Sequence, residues 1–269
     1  MPTLLPPILE SAGVLRAAPA AEPGESTPEL SLVVPAYNEE ANLRLLHQRI
    51  LEVFGARQDW ELLLVDDGSR DGTTGIIRDL VREDPRVVGV LFAKNSGQTA
   101  AMAAGIHHAR GRLVATLDAD LQNDPVDLPA MIERLGELDA VVGYRVGRQD
   151  TWVRKVSSRI ANSIRNRLSG DSIRDTGCSL KVFRAEAIRS IPWFEGMHRF
   201  LPTLLRYQGY TVVEHPVSHH PRHAGVSKYG IRNRAWRAFK DLLAVRWMRE
   251  RMIRFPIQDV LRAGTPRGR

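Results

Sequence analysis

The chain has 269 residues, 43% of them hydrophobic and 26% charged, which are the proportions of a globular protein with one substantial core. Arg, Asp or Glu interrupts every long apolar run, so we expect no membrane-spanning helix. A formal charge of +7 and a pI near 10 favour anionic partners, namely nucleic acid, anionic lipid or phosphorylated substrates, without choosing among them.

The N-terminal region, residues 1–28, is rich in Ala, Pro, Glu and Ser and has no sustained periodicity, so we predict a flexible segment there. It lacks the basic leader and uninterrupted apolar run of a signal peptide. Cys178 is the only cysteine, which excludes an internal disulfide and fits a reducing compartment. We therefore expect a cytoplasmic protein.

From Leu30 onward, short β-rich apolar runs alternate with helical patterns. Such alternation predicts a mostly parallel sheet flanked by helices, with ligands bound beyond the carboxyl ends of the strands. The first five predicted strands have the composition of strands buried on both faces. The predicted strands are Leu30–Pro35, Leu62–Val65, Val87–Phe92, Leu113–Leu117, Ala140–Gly143, Leu180–Phe183 and Thr211–Val217.

Helical periodicity fills the intervals between these strands and continues after them. The predicted helices are Glu40–Phe54, Thr73–Arg82, Thr99–His108, Val126–Leu135, Trp152–Leu168, Phe200–Tyr207 and Ile231–Phe255. We divide the chain into the flexible segment 1–28, a catalytic domain at 29–230 and a basic, amphipathic C-terminal helix and tail at 231–269.

The strongest local signal is Asp118-Ala119-Asp120 with Gln122, directly after a predicted strand. Two carboxylates one residue apart can bind one hard cation together with substrate phosphate oxygens. An acidic, solvated turn is the alternative, because the motif is short.

Other polar residues follow neighbouring strands. Asp66-Asp67 can accept hydrogen bonds from a base or ribose, or can form a turn with a helix cap. Arg145 suits a phosphate, although a plain surface arginine is the alternative. The segment 222–229 has the composition of a loop able to close on a diphosphate.

Five motifs in this order resemble the family 2 glycosyltransferases of the GT-A fold, and among them the polyprenyl-phosphate glycosyltransferases such as dolichol-phosphate mannose synthase. They are VVPAYNEE at 33–40, LVDDGSRDGT at 64–73, DADLQNDP at 118–125, GYR at 143–145 and RHAGVSKY at 222–229. The segment DTGCSLK at 175–181 looks closest to the bacterial branch that transfers formylated aminoarabinose to undecaprenyl phosphate. Many relatives continue into transmembrane helices, whereas we expect none in this sequence.

The resemblance implies roles for individual residues. Those of the nucleotide-sugar site would be Pro35, Tyr37, Glu39, Val65, Asp67, Asp118, Ala119, Asp120, Arg145, Arg222 and Lys228. Asp118, Asp120 and Gln122 would hold Mg²⁺ or Mn²⁺. Arg154 and Ser158 would meet the acceptor phosphate, and the residues closest to catalysis would be Asp175, Arg222 and Lys228.

The predicted activity is a metal-dependent, inverting transfer of a sugar from a nucleotide diphosphate to a polyprenyl phosphate. The basic and apolar helix at 231–255 is suited to an anionic membrane surface, so a peripheral position on the cytoplasmic membrane is expected. Packing on the domain or in a homo-oligomer is the alternative for this helix. A hydroxyl acceptor, with Asp175 as base, and a basic nucleic-acid-binding protein are the other functions considered; acidic clusters at the sheet edge argue against the latter.

Overall fold

A computed structural model describes residues 27–57, 59–146, 165–220 and 231–253, with the backbone alone for 231–238. These residues form a seven-stranded sheet in the order β3-β2-β1-β4-β6-β5-β7. The strands are β1 Leu30–Ala36, β2 Trp60–Asp66, β3 Val87–Leu91, β4 Leu113–Thr116, β5 Ala140–Arg145, β6 Lys181–Arg184 and β7 Val212–Val217. The pairings of β6 with β4 and β5 are antiparallel and the others are parallel, which confirms the predicted mostly parallel sheet.

Helices cover both faces of the sheet, because alternate side chains of each strand point to opposite faces. Leu32 and Val34 of β1 belong to one apolar cluster, and Val33 belongs to the other. The helices are α1 Leu43–Phe54, α2 Thr73–Glu83, α3 Gln98–His108, α4 Leu128–Leu135, α5 Ala185–Arg189, α6 Leu201–Tyr207 and α7 Ile231–Arg251. Short 3-10 turns occupy Pro125–Asp127 and Met197–Arg199.

The structure shifts several predicted boundaries by one or two residues and adds α5, which was not predicted. Two further differences have a clear physical reason. β3 is not buried on both faces, because it lies at the sheet edge and only Val87 among its residues is buried. The first helix begins at Leu43 rather than Glu40, because Glu40 forms part of a turn and its carboxylate accepts a hydrogen bond from the Gly72 N–H at 2.7 Å. Of the predicted helix Trp152–Leu168, the described residues begin at Arg165 and are helical.

The C-terminal helix α7 distributes its apolar side chains over two faces. Leu242 and Val245 are buried against the domain, at 6% and 0% exposure. Phe239, Leu243 and Trp247 recur every four residues on a different face and are exposed. Packing of the helix on the domain, one of the alternatives from sequence, is therefore observed. A second apolar stripe stays exposed in the part of the chain that the structure describes.

Candidate functional site

The Asp118–Gln122 segment follows β4 and turns sharply at the sheet edge. Leu121 has a φ of 58°, in the left-handed region that costs a residue with a Cβ about 1 kcal/mol. The carboxylate of Asp120 accepts a hydrogen bond from the Gln122 N–H at 3.2 Å. Ala119 is buried, so its side chain supports the turn from the core side. A residue in this conformation persists only where the surrounding contacts hold it.

Two residues that the sequence analysis did not single out hold this turn. The hydroxyl of Ser179 donates to Asn123 Oδ1 at 3.1 Å and accepts from the Asp118 N–H at 3.2 Å. Asn123 and Ser179 are both buried. These contacts attach the acidic turn to the segment preceding β6. Both residues lie within motifs of the sequence, but their spacing does not indicate that they meet.

The carboxylates of Asp118 and Asp120 influence each other. Burial, followed by the negative charge of Asp120, raises the pKa of Asp118, while the cations of Lys181 and Arg145 oppose that rise. Close carboxylates with this electrostatic conflict fit a divalent cation, which relieves it. Within the described ranges no three acidic, histidine or cysteine side chains are grouped to hold a metal, so water molecules or phosphate oxygens would complete the coordination of a cation held by these carboxylates.

Lys181 places a buried cation beneath this acidic turn. It lies on β6, between β4 and β5, with 3% exposure, and its ammonium donates to the carbonyl of Cys178. Burial lowers the pKa of Lys181, and the charges of Cys178 and Asp118 act against that shift. In the sequence Lys181 is a single lysine beside the apolar pair Val182 and Phe183, a pattern that does not indicate a role in a site.

The acidic pair after β2 holds loops. Asp66 accepts hydrogen bonds from the Ser69 N–H at 2.9 Å and from the hydroxyl of Thr74, so it forms the turn of the alternative reading but not the helix cap, which is Gly72. Asp67 accepts from the Ser96 N–H at 2.6 Å and the Gly97 N–H at 2.9 Å. Burial raises the pKa of Asp67, and these two N–H groups act against the rise. Asp67 thus fixes the loop that leads into α3.

Gln98 and the residue before it connect the two acidic groups. Gln98 is the first residue of α3, and its amide Nε2 donates to Asp118 Oδ1 at 2.9 Å. Because Asp67 binds the N–H of the preceding residue, Gly97, the two aspartates lie on one edge of the sheet with Gln98 between them. Sequence reasoning missed Gln98, since a glutamine at a helix start carries no distinctive pattern.

The loop after β1 is joined to the loop after β2. Asn38, at a φ of 53°, donates its N–H to Ser69 Oγ at 2.9 Å. The Glu39 N–H donates to Thr73 Oγ1 at 2.8 Å, while the Glu39 carboxylate accepts from Asn42 at 2.7 Å. These contacts shape the rim on which three predicted nucleotide-site residues lie, Pro35, Tyr37 and Glu39, all partly exposed.

Val65 occupies a different environment. Its side chain is buried at 0% exposure and packs against α3, because a Cβ at Gly105 would lie 3.0 Å from Val65 Cγ2. The whole residue, main chain included, is buried between β1 and β3, so Val65 supports the strand end from the core and does not reach the surface of the site.

Arg145 and Asp175 form one unit. Arg145 Nε and Nη2 donate to the two carboxylate oxygens of Asp175 at 2.7 and 2.9 Å. Burial works against the charge of Arg145, but the hydrogen bond and charge of Asp175 outweigh it and raise the pKa of the guanidinium. The Gly177 N–H also donates to Asp175 at 3.1 Å. Two residues assigned separate roles from sequence thus act on each other.

Four predicted site residues, Arg154, Ser158, Arg222 and Lys228, lie outside the described residues. The last described residues before this gap, which end at His220, contact the acidic turn and the 3-10 turn that follows it. The His220 N–H donates to the carbonyl of Gln122 at 2.9 Å, and Ser218 Oγ donates to Asp127 at 2.6 Å.

Comparisons with known proteins identify relatives of this chain. The sequence profile of the family described as Glycosyl transferase family 2 matches residues 31–191. The chain is 46% identical over 224 residues to a dodecaprenyl-phosphate galacturonate synthase of Rhizobium johnstonii, covering 81% of this chain and 66% of the relative. It is 40% identical over 205 residues to an undecaprenyl-phosphate 4-deoxy-4-formamido-L-arabinose transferase of Edwardsiella ictaluri, covering 75% and 63%. The chain thus spans slightly less than two thirds of the length of these relatives.

Solved structures show the same fold. A mannosyltransferase of Pyrobaculum calidifontis in complex with GDP-Man and Mn²⁺ superimposes with a TM-score of 0.59 at 20% identity, over 90% of this chain and 69% of that one. A glucosyl-3-phosphoglycerate synthase of Mycobacterium tuberculosis in complex with Mn²⁺, UDP and phosphoglyceric acid gives 0.61 at 17% identity, over 84% and 80%. These likenesses confirm the predicted GT-A fold.

Proposed function

This chain belongs to glycosyl transferase family 2, and we propose that it transfers a sugar from a nucleoside-diphosphate donor to a polyprenyl phosphate. The observation that carries the proposal is the Asp118–Asp120 pair at the carboxyl end of β4, joined through Gln98 to the loop that Asp67 holds. The names of the curated relatives, which are polyprenyl-phosphate sugar transferases, support the acceptor class.

The donor would lie across this sheet edge. Pro35, Tyr37, Glu39 and Asp67 would meet the nucleoside, with Val65 packed behind them, and Asp118, Asp120 and Gln122 would hold Mg²⁺ or Mn²⁺. The bound cation would neutralise the diphosphate as its negative charge develops. Both metals occur with nucleotides in solved structures of this fold, and the carboxylates of the acidic turn are the oxygen ligands that such cations prefer.

The acceptor phosphate needs alignment more than deprotonation. Its oxygen is largely ionised at neutral pH, since the second pKa of a phosphate monoester is about 6. An oxygen attacking the anomeric carbon opposite the leaving diphosphate would invert the configuration. Asp175 already accepts both hydrogen bonds of the Arg145 fork, so we assign it to positioning that guanidinium rather than to a general-base role.

The remaining phosphate ligands would come from segments beyond the described residues. Arg222 and Lys228 would stabilise the departing diphosphate, and Arg154 and Ser158 would bind the acceptor phosphate. The attachment of His220 to Gln122 supports the first assignment, because Arg222 follows two residues later.

We also propose that α7 meets an anionic membrane surface. Its described part exposes the apolar stripe Phe239, Leu243 and Trp247, with Lys240 and Arg251 exposed nearby. Apolar side chains beside cations suit the interface of an anionic bilayer. No helix in the described ranges is both long and apolar enough to cross a membrane.

The test is transfer of labelled sugar from a panel of nucleotide sugars to polyprenyl phosphate in detergent, followed by lipid extraction. We expect label in the lipid fraction with Mn²⁺ or Mg²⁺, none with EDTA, and a loss of about a hundredfold or more in Asp120→Asn. Asp79→Asn, a half-exposed aspartate on α2, is the matched control and should retain activity. Label appearing only in a soluble glycan would instead identify a hydroxyl acceptor.

A further inference from the structure

The side chain of Gln98 is hydrogen-bonded to a carboxylate oxygen of Asp118, a proposed ligand of the metal. Its amide Nε2 donates to Asp118 Oδ1 at 2.9 Å, so the partial positive charge of an N–H group points at this carboxylate. A lone pair that accepts this hydrogen bond is not offered to a cation at the same time. A cation that approaches Asp118 Oδ1 along the lone pair facing Gln98 therefore competes with the Gln98 amide.

The backbone around Gln98 is fixed while its side chain lies at the surface. The N–H groups of Ser96 and Gly97 both bind Asp67, and Gly97 accepts a hydrogen bond from the Ala101 N–H at 3.1 Å within α3. On the other side Thr99 Oγ1 bonds His198 Nδ1 at 2.6 Å. The Gln98 side chain is exposed, so it can rotate away from Asp118 without moving α3.

We infer that Gln98 is a latch on the metal site: a positioning residue that holds Asp118 in the metal-free enzyme and opposes metal entry until its amide leaves. The inference rests on the proposed function, because it takes Asp118 as a metal ligand. The hydrogen bond from Gln98 stabilises the negative charge of Asp118, which has Asp120 as a like-charged neighbour. It also fixes the orientation of the Asp118 carboxylate in the metal-free protein.

Removing the latch should strengthen metal binding, the reverse of what loss of an ordinary supporting contact does. In Gln98→Ala, a cation no longer displaces a hydrogen bond to a charged group, so we expect Mn²⁺ to bind about threefold to tenfold more tightly. Gln98→Glu exchanges the donor for a third carboxylate. It should bind Mn²⁺ more tightly still, and its metal-free melting temperature should fall because of repulsion from Asp118.

The experiment is titration of the nucleotide-free full chain with Mn²⁺ alone, following free Mn²⁺ by electron paramagnetic resonance. Gln48→Ala is the matched control, because Gln48 is an exposed helical glutamine that also donates to a carboxylate, that of Glu52 at 3.5 Å. Tighter binding in both Gln98 variants and unchanged binding in Gln48→Ala support the latch. Equal or weaker Mn²⁺ binding in Gln98→Ala overturns it.

Asp118→Asn separates the possible failures. If the wild type binds Mn²⁺ and Asp118→Asn does not, the metal site stands and the Gln98 variants decide the latch alone. If the wild type binds no Mn²⁺, or Asp118→Asn binds as tightly as the wild type, the metal assignment fails and the latch fails with it. Sugar transfer to polyprenyl phosphate, measured separately, reports on the proposed reaction.

Discussion

The guanidinium of Arg145 binds the carboxylate of Asp175 through two hydrogen bonds, of 2.7 and 2.9 Å, with the two side chains only 17% and 14% exposed. A planar fork of this kind is the strongest geometry for an arginine–carboxylate pair. Because both groups are largely removed from water, losing one partner leaves the other charge poorly solvated. The pair therefore fixes the position of a cation at the end of β5.

We predict strong coupling between these two residues. Arg145→Ala and Asp175→Ala should each lower the free energy of unfolding by about 2 kcal/mol, and the double variant by clearly less than the sum. Urea denaturation of the four proteins measures the coupling. The exposed pair Arg57–Asp59, at 43% and 48% exposure, is the control and should couple by less than about 0.5 kcal/mol. Additive losses at Arg145 and Asp175 would contradict this account.

The same pair makes a kinetic prediction about Asp175. A general base would contribute an ionisation to the pH–rate profile, and its removal would change the shape of that profile. If Asp175 positions Arg145, then Asp175→Asn should lower kcat/KM by about tenfold to a hundredfold and leave the shape unchanged between about pH 6 and 9. Initial rates of lipid-linked sugar formation across that range test this. Loss of an ionisation in the variant would restore the base role.

Sequence patterns were most informative where local physics decides the structure. The apolar runs that became β1, β2 and β4 are continuous because both faces of these strands are covered. The predicted burial of β3 on both faces was wrong, since no local feature of Val87–Leu91 shows that this strand lies at the edge of the sheet. Sheet order is a property of the whole chain.

The site divides in the same way. Asp118 and Asp120 could be found from sequence, because carboxylates directly after a buried strand form a recognisable pattern. Gln98 and Lys181 could not, since each acts on Asp118 from a residue distant in sequence. Their roles depend on the packing of α3 and β6 beside β4, which spacing does not encode.

Close packing of α3 on the sheet predicts a cost at Gly105. A Cβ there would overlap Val33 Cγ1 and lie 3.0 Å from Val65 Cγ2, so Gly105→Ala should lower the free energy of unfolding by about 1–2 kcal/mol. Gly75, in α2, has open space within 4 Å of the point where a Cβ would lie, and Gly75→Ala should raise it by about 0.5–1 kcal/mol. Chemical denaturation of both variants is the measurement. Stabilisation by both would show that α3 can move from the sheet at little cost.

Acid stability should depend on Asp84, at the end of α2. Burial opposes its charge, but hydrogen bonds from Arg86 and His47 outweigh burial and lower the pKa of Asp84 to about 2. A pKa below the unfolded value near 3.9 means that the stabilisation is complete above about pH 4 and lost as the pH falls toward 2. Asp84→Asn should therefore cost about 2 kcal/mol at pH 7.

The difference between wild type and Asp84→Asn should close as the pH is lowered to about 2, which denaturant titrations at several pH values would follow. Asp79→Asn, with a side chain 48% exposed, should change stability by less than about 0.5 kcal/mol at either pH. A constant gap between Asp84→Asn and wild type would mean that packing, not ionisation, sets the effect.

The exposed stripe of α7 makes a separable prediction about membranes. Leu243 and Trp247 are 45% and 62% exposed, while Val245 on the packed face is fully buried. Replacing both exposed residues by Ser should leave the fold intact and weaken co-sedimentation with anionic phosphatidylglycerol vesicles by about tenfold, because their apolar area no longer enters the interface. Binding by the wild type should also fall in high salt, since cations contribute to it.

Val81→Ser and Val126→Ser are the controls, because these exposed apolar residues, at 40% and 56%, lie outside α7. They should leave vesicle binding unchanged. Light scattering of the same proteins distinguishes a homo-oligomer interface from a membrane surface. If serines in the stripe reduce the molecular mass and vesicle binding stays at the wild-type level, the stripe joins copies of the chain, and the lipid acceptor must reach the acidic turn by another surface.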